Sequence, residues 1–85
     1  TKCLALAMAP HGIRVNAIGP GVVETGMTSD MLADETNRAQ LSQSIPLGRV
    51  AQPSEIADTA LFLSCDESSY YTGQILFPSG GVLVR

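Results

Sequence analysis

The sequence predicts an α/β fold in which helices pack against a short parallel sheet. A helical pattern at residues 1–9 leads directly into an apolar, β-branched run at residues 13–18, and this order is typical of βαβ units. The run is apolar almost throughout, which favours a parallel strand covered on both faces. A further helical pattern separates it from a second apolar run at residues 74–77. The 85 residues offer room for one small domain.

The first helix is predicted from apolar residues at helical spacing, namely Leu4, Ala5, Ala7 and Met8. It should end at Pro10-His11-Gly12, where Gly12 is suited to a left-handed C-terminal position. His11 would then lie at the negative end of the helix dipole, where a cation is favourable, and we assign it this role rather than a catalytic one. The pattern begins without an N-cap residue, so we expect the chain to be part of a longer one.

Two polar residues interrupt the run at residues 13–18. We interpret Arg14 as a solvated strand start and Asn16 as a side chain that hydrogen-bonds neighbouring backbone. The run then passes into Gly19-Pro20-Gly21, where Pro20 offers no N–H and the glycines tolerate positive φ. A ligand could approach the backbone there, because ligands bind outside the carboxyl ends of strands in open α/β sheets. The alternative is a tight turn without a ligand.

Residues 28–44 form a polar segment with a thin apolar stripe, which predicts one or two short helices. Such a segment cannot build a core by itself and is suited to act as a lid. An extended link at residues 45–49 follows it. The next helix should open at residues 52–55 with Pro53 and Glu55 in its first turn. Its predicted buried face comprises Ile56, Ala57, Ala60, Leu61 and Leu63, and its predicted end comprises Asp66, Ser68 and Ser69.

Composition excludes several classes of function. The net charge is −3 with a pI near 4.7, and no Lys/Arg cluster is present, so we expect no nucleic-acid partner. No apolar run is long enough to span a bilayer, and we expect a cytoplasmic protein without a membrane partner. Cys3 and Cys65 lack the spacing of a metal or redox site and are predicted to be reduced, buried side chains. We expect no metal site, and we interpret Glu24 as a solvated loop carboxylate.

Two blocks of the sequence carry a family resemblance, PHGIRVNAIGPGVVETGM and IPLGRVAQPSEIADTALFLSCDESSYYTGQILFPSGG. In this order they resemble the C-terminal third of short-chain dehydrogenases/reductases, which use NAD or NADP and include 3-oxoacyl carrier-protein reductases and sugar or alcohol dehydrogenases. The resemblance implies the C-terminal part of a Rossmann-type, doubly wound parallel sheet. Residues 1–85 would form a single partial domain that contributes the last two strands, the helix between them and a substrate lid at residues 28–44.

The resemblance also implies a cofactor site. The family pattern N-x-x-x-P-G-x-V-x-T lies beside the nicotinamide and matches this chain at Asn16, Pro20, Gly21, Val23 and Thr25. The backbone C=O and N–H of Val23 would hydrogen-bond to the carboxamide of the nicotinamide. Pro20 and Val22 would contact its ring, and the Thr25 hydroxyl would reach the carboxamide or the pyrophosphate. The implied cofactor-binding residues are therefore Pro20, Gly21, Val22, Val23 and Thr25.

No catalytic residue is assigned. The resemblance implies that the family's Ser, Tyr and Lys would all lie before Thr1, and Lys2 lies too close to the PHGIRVN block, so we interpret it as a solvated helix residue. Gly26 and Ser79 also depart from the residues that many relatives have. The Ser-Ala-Gly-Pro run of the enoyl reductases is absent.

The expected partners are a small carbonyl or alcohol substrate, the remainder of a parent chain, and further copies in a dimer or tetramer. An alternative to the enzyme is a non-catalytic relative that keeps the scaffold for binding or assembly. A Tyr-x-x-x-Lys upstream of Thr1 would favour the enzyme.

Overall fold

The computed structural model describes residues 1–82, which form helices around a two-stranded sheet. In chain order the helices and strands are α1 (Lys2–Met8), β1 (Ala17–Ile18), α2 (Ser29–Ala33), α3 (Glu35–Ser44), α4 (Pro53–Ser64) and β2 (Ile75–Leu76). Two short 3₁₀ turns, Ala9–His11 and Asp66–Ser68, follow α1 and α4.

The end of α1 agrees with the local sequence rules. The chain tightens into the 3₁₀ turn around Pro10 and stops at Gly12, whose φ is +72°. The Gly12 N–H donates to the Ala9 carbonyl at 3.0 Å. The predicted left-handed glycine is therefore confirmed, because only a residue without Cβ adopts this φ at little cost.

The two strands are parallel, with Ala17 opposite Ile75 and Ile18 opposite Leu76. Both are shorter than the predicted runs at residues 13–18 and 74–77. Just before the two strands begin, a side-chain hydrogen bond takes the place of a backbone one, because Asn16 Oδ1 accepts from the Gln74 N–H at 3.1 Å. Asn16 does hydrogen-bond backbone, but the prediction that this backbone is neighbouring is wrong, because its partners are Tyr71 and Gln74 in the segment before β2.

The prediction that Arg14 is a solvated strand start is wrong. Its guanidinium donates to the carbonyl oxygens of Leu63 at 2.9 Å, Ser68 at 2.9 Å and Tyr71 at 3.2 Å. These carbonyls lie at the end of α4 and in the turns that follow. A cation at the C-terminal end of a helix meets unpaired carbonyls and the negative end of the dipole, so Arg14 ties the end of α4 to the start of β1.

The segment between residues 28 and 44 forms two helices, as predicted. The Asp34 carboxylate begins α3 by accepting from the Thr36 N–H at 2.8 Å and, more weakly, from the Asn37 N–H. The segment also contributes to the main buried cluster. This cluster consists of Leu32, Ile45 and Val50, with Val22 and Leu41 packed against it. The core therefore lies where α2 and α3 meet the extended segments that precede and follow them.

Helix α4 begins where the sequence predicts, and the Glu55 carboxylate accepts from the Gln52 N–H at 2.9 Å. The predicted buried face is wrong in this structure. Ile56 and Leu63 are half-buried, whereas Leu61 is 64% exposed, and Ala57 and Ala60 are exposed as well. Among the helices and strands of residues 1–82, α4 packs mainly against the 3₁₀ turn that follows it, so Ala57, Ala60 and Leu61 stay exposed. The helix also ends earlier than predicted, at Ser64.

The cysteines differ from their predicted burial. Both are free, as predicted, but Cys3 is exposed and Cys65 is half-buried. Cys3 lies on α1, where Ala5 is the one buried residue. No helix within residues 1–82 is long and apolar enough to cross a membrane.

Candidate functional site

The loop at residues 19–25 leaves β1 at the carboxyl ends of the two parallel strands. It continues beside the chain that leaves β2, because the Gly19 N–H donates to the Leu76 carbonyl at 2.8 Å and the Gly21 N–H donates to the Pro78 carbonyl at 3.3 Å. This edge is where ligands bind in open parallel sheets. The structure thus brings all five predicted cofactor-binding residues to one loop at the expected edge.

The two glycines of this loop are required for close packing. A Cβ on Gly19 would lie 2.7 Å from the Phe77 ring, and one on Gly21 would lie 2.9 Å from Ser79 Cα. Neither glycine has a positive φ, so tolerance of positive φ, which the sequence suggested, is not the reason why glycine is required here. What approaches the backbone here is the segment that leaves β2. The glycines therefore set the position of the loop against the sheet.

A parallel bridge to residue 51 fixes the orientation of the next residues. The Ala51 N–H donates to the Val22 carbonyl at 3.0 Å, and the Glu24 N–H donates to the Ala51 carbonyl at 2.9 Å. In such a bridge the N–H and C=O of the central residue face the opposite edge. Val23 therefore presents both of its backbone groups away from Ala51. The Val22 side chain, in contrast, packs on the buried cluster, and its expected ring contact stays a prediction.

Thr28 is a site residue that the sequence did not reveal. Its hydroxyl accepts from the Thr25 N–H at 2.8 Å and donates to the Val23 carbonyl at 2.8 Å. The Thr28 N–H donates to the Thr25 carbonyl at 3.1 Å, which closes a turn. A carbonyl oxygen has two lone pairs, so Val23 retains acceptor capacity. The signal in the sequence is a threonine three residues after Thr25, a spacing at which a hydroxyl bonds local backbone.

Pro20 and Thr25 are exposed at the surface of the loop. The Thr25 hydroxyl oxygen lies 3.5 Å from that of Thr28, at the limit of a hydrogen bond. It is therefore free to turn toward a ligand with little loss.

The charge beside this loop belongs to an ion pair. The Arg38 guanidinium donates to the Glu24 carboxylate at 2.5 Å, and the Gln52 side-chain amide donates to it at 3.0 Å. The hydrogen bond from Arg38, followed by the one from Gln52, holds the pKa of Glu24 below its ordinary value. The interpretation of Glu24 as a solvated carboxylate is wrong, because it has two partners. The pair joins residues fourteen positions apart, so no local spacing rule could find it.

A cavity of about 300 Å³ lies on the core side of the loop. It is bordered by the link at residues 45–51, the first turn of α4 and residues 78–80, and Val22 lines it. Arg49 and Glu55, which also line it, form an ion pair at 2.7 Å. The hydrogen bonds from Arg49, and then the one from Gln52 N–H, lower the pKa of Glu55 to about 2. Within residues 1–82, no cluster of His, Cys, Asp and Glu could hold a metal ion.

A family model matches residues 1–83, and its description is enoyl-(acyl carrier protein) reductase. Among curated relatives, the glucose and ribitol dehydrogenase homolog 2 of Arabidopsis thaliana is 47% identical over 86 residues, which cover all of this chain and 29% of the relative. The family description and the name of the relative indicate different reactions. The match therefore establishes the family and leaves the reaction open.

Solved structures agree with the fold. A protein from Agrobacterium tumefaciens, assigned as a 2-deoxy-D-gluconate 3-dehydrogenase and solved with bound NADP, superposes with a TM-score of 0.90 at 42% identity. A short-chain dehydrogenase family protein from Francisella tularensis superposes with a TM-score of 0.89 at 34% identity. Each match covers the whole chain, and 35% and 39% of the two proteins respectively. The predicted fold class is confirmed, and the chain spans about a third of the length of the proteins it matches.

Proposed function

Because the chain belongs to the short-chain dehydrogenase/reductase family, we propose that the full protein is an NAD(P)-dependent oxidoreductase. It transfers hydride between the nicotinamide and a small carbonyl or alcohol substrate. Residues 20–25 border the nicotinamide, and residues 28–44 cover the substrate. The substrate resembles either the sugar-derived alcohols named for the relatives or a 3-oxoacyl thioester.

The orientation of Val23 is the observation that carries this proposal. Its N–H and C=O face the edge opposite Ala51, at the carboxyl ends of the parallel strands. An amide group has one donor and one acceptor, and a nicotinamide carboxamide offers the complementary pair. Two such bonds contribute about 1 kcal/mol each, which is enough to select one orientation of the ring. The residues present therefore fit the cofactor.

Orientation is the main contribution of these residues to the reaction. The cofactor supplies the hydride chemistry, and the protein aligns its reactive carbon with the substrate. Val23 holds the carboxamide, Pro20 contacts the ring, and Thr25 donates from its hydroxyl to the carboxamide or the pyrophosphate. Thr28 keeps the Val23 carbonyl in place through its hydrogen bond of 2.8 Å. A fixed geometry converts an encounter of two ligands into an effectively unimolecular step.

The assembly and location of the protein are part of the proposal. We place it in the cytoplasm as a dimer or tetramer. Large apolar side chains on α1, on α4 and just after β2 are left for the remainder of the parent chain or a further copy to cover, since Leu6 is 77% exposed, and Leu61 and Phe77 are more than half exposed. Exposed apolar patches of this kind are typical of surfaces that contact other protein.

The test replaces Thr25 with Val in the full protein. If its hydroxyl bonds the cofactor, the dissociation constant for NADPH or NADH should rise about fivefold, which corresponds to about 1 kcal/mol, without a change in thermal stability. Thr59→Val on α4 is the matched control, because this threonine lies outside both the loop and residues 28–44. An unchanged dissociation constant for Thr25→Val would contradict the assignment of Thr25.

A further inference from the structure

A polar bridge connects the lid at residues 28–44 to the loop at residues 19–25, which we refer to as the cofactor loop. It consists of Glu24, Arg38 and Gln52, and we refer to these three residues as the bridge. Glu24 lies in the loop between Val23 and Thr25, Arg38 lies on α3, and Gln52 immediately precedes α4. The bridge therefore brings together one side chain from each of three segments that surround the proposed site.

Each end of the bridge is fixed to backbone. The Glu24 N–H is bonded to the Ala51 carbonyl, so the carboxylate projects from a segment that cannot move independently of residue 51. Arg38 Nε donates to the Leu32 carbonyl at 3.0 Å, while its other nitrogens face Glu24. Leu32 is buried in the core and lies near the end of α2. Arg38 thus determines how α2, α3 and the loop are arranged.

The bridge contributes little to global stability. The side chains of Arg38 and Glu24 are 41% and 30% exposed, and exposed pairs change folding equilibria only slightly. A local equilibrium is different for α3, because this helix has no buried side chain, whereas Leu32 of α2 belongs to the core, so α3 opens at a small cost. The loss of one exposed pair can then change the open population by up to about fivefold.

We propose that the Glu24–Arg38 pair couples closure of α3, the part of the lid at residues 35–44, to the geometry of the cofactor loop. Arg38 is in this sense a positioning residue that acts on the cofactor through Glu24 and does not touch it. This inference rests on the proposed function for its effect on the cofactor. Its effect on the lid depends only on the contacts described above.

The first experiment measures amide hydrogen exchange in the full protein without ligand. Arg38→Gln and Glu24→Gln should each increase exchange across residues 35–44 by about threefold to fivefold. The double variant should exchange no faster than the faster single variant, because both changes remove the same interaction. Arg49→Gln is the matched control, since it breaks an ion pair of similar length and exposure that does not contact the lid.

The second experiment measures binding of NADPH and NADH to the same variants. Arg38→Gln should weaken binding of the preferred cofactor about twofold to fivefold, although Arg38 lies on the lid, whereas Arg49→Gln should not weaken it. A purely structural role for Arg38 would leave this affinity unchanged.

Two results would overturn the inference. The first is that amide exchange of the lid in Arg38→Gln is no faster than in Arg49→Gln. The second is that the effects of Arg38→Gln and Glu24→Gln on this exchange add up in the double variant. If the unaltered protein binds neither cofactor, the proposed function fails, whereas the exchange cycle still decides whether the bridge holds the lid.

Discussion

The hydroxyl of Thr28 is the hydrogen-bond partner of the Val23 carbonyl, at 2.8 Å. The same oxygen accepts from the Thr25 N–H, so one side chain on the lid side fixes two residues of the cofactor loop. The Val23 carbonyl and the Thr25 N–H have no partner in the parallel bridge to Ala51, which bonds only the Val22 carbonyl and the Glu24 N–H. The geometry of this loop therefore depends on a side chain from outside it.

The first prediction concerns this threonine. Thr28→Val in the full protein should lower the free energy of unfolding by about 1 kcal/mol, the contribution of a typical hydrogen bond. It should also weaken NADP(H) binding, because the Val23 carbonyl loses its anchor. Thr28→Ser keeps the hydroxyl and should behave like the unaltered protein. Calorimetric titration with NADPH and urea unfolding measure the two effects, and equal behaviour of the Val and Ser variants would contradict the anchoring role.

Local rules of sequence predicted the parts of this fold that depend on neighbouring residues. The C-terminal end of α1 and the start of α4 follow from Gly12, Pro53 and Glu55, which act within one turn. The two short helices of the lid follow from a weak amphipathic pattern. The order of helices and strands was sufficient to predict a parallel pair, which Ala17–Ile18 and Ile75–Leu76 form.

Contacts between distant residues could not be predicted in this way. Arg14 bonds carbonyls 49 to 57 positions later, and Glu24 pairs with a residue 14 positions away. The exposed face of α4 is a related case, because its apolar pattern predicts burial but cannot say which residues cover it. The site residues themselves came from the family pattern. The structure adds Thr28 and the bridge to that pattern.

The second prediction tests why the loop contains glycine. Gly21→Ala should destabilise the full protein by about 1 to 3 kcal/mol, because the new Cβ would lie 2.9 Å from Ser79 Cα and the backbone would have to shift. Gly26→Ala is the matched control. Its Cβ would meet nothing within 4 Å and its φ is not positive, so the change should be neutral or slightly stabilising. Urea unfolding of both variants measures the difference, and a neutral Gly21→Ala would show that the packing is not tight.

The third prediction concerns the pH dependence of the Arg49–Glu55 pair. Bonds from Arg49 and the Gln52 N–H lower the pKa of Glu55 from 4.5 to about 2 in the folded protein. A lowered carboxyl pKa stabilises the fold above the unfolded value, and this stabilisation is lost as the pH falls from about 4.5 through about 2. In Arg49→Gln the pKa should rise toward 4.5 and most of this pH dependence should disappear.

Carboxyl carbon shifts followed by NMR during an acid titration measure this pKa directly. A Glu55 midpoint that does not move in Arg49→Gln would show that Arg49 is not the cause of the shift.

The last prediction is that a polypeptide of residues 1–85 does not fold alone as a stable monomer. A compact chain of this length has a radius of gyration of about 12 Å, whereas the structure has 15.6 Å and extends over 50 × 26 × 21 Å. The main buried cluster contains only Leu32, Ile45 and Val50, and a two-stranded sheet is marginal in water. Meanwhile Leu6, Leu61 and other apolar side chains remain exposed. Light scattering and thermal unfolding of this polypeptide should therefore show association, or no cooperative transition. A monomer near 8.9 kDa with one cooperative transition would instead support the alternative that these residues form an independent binding module.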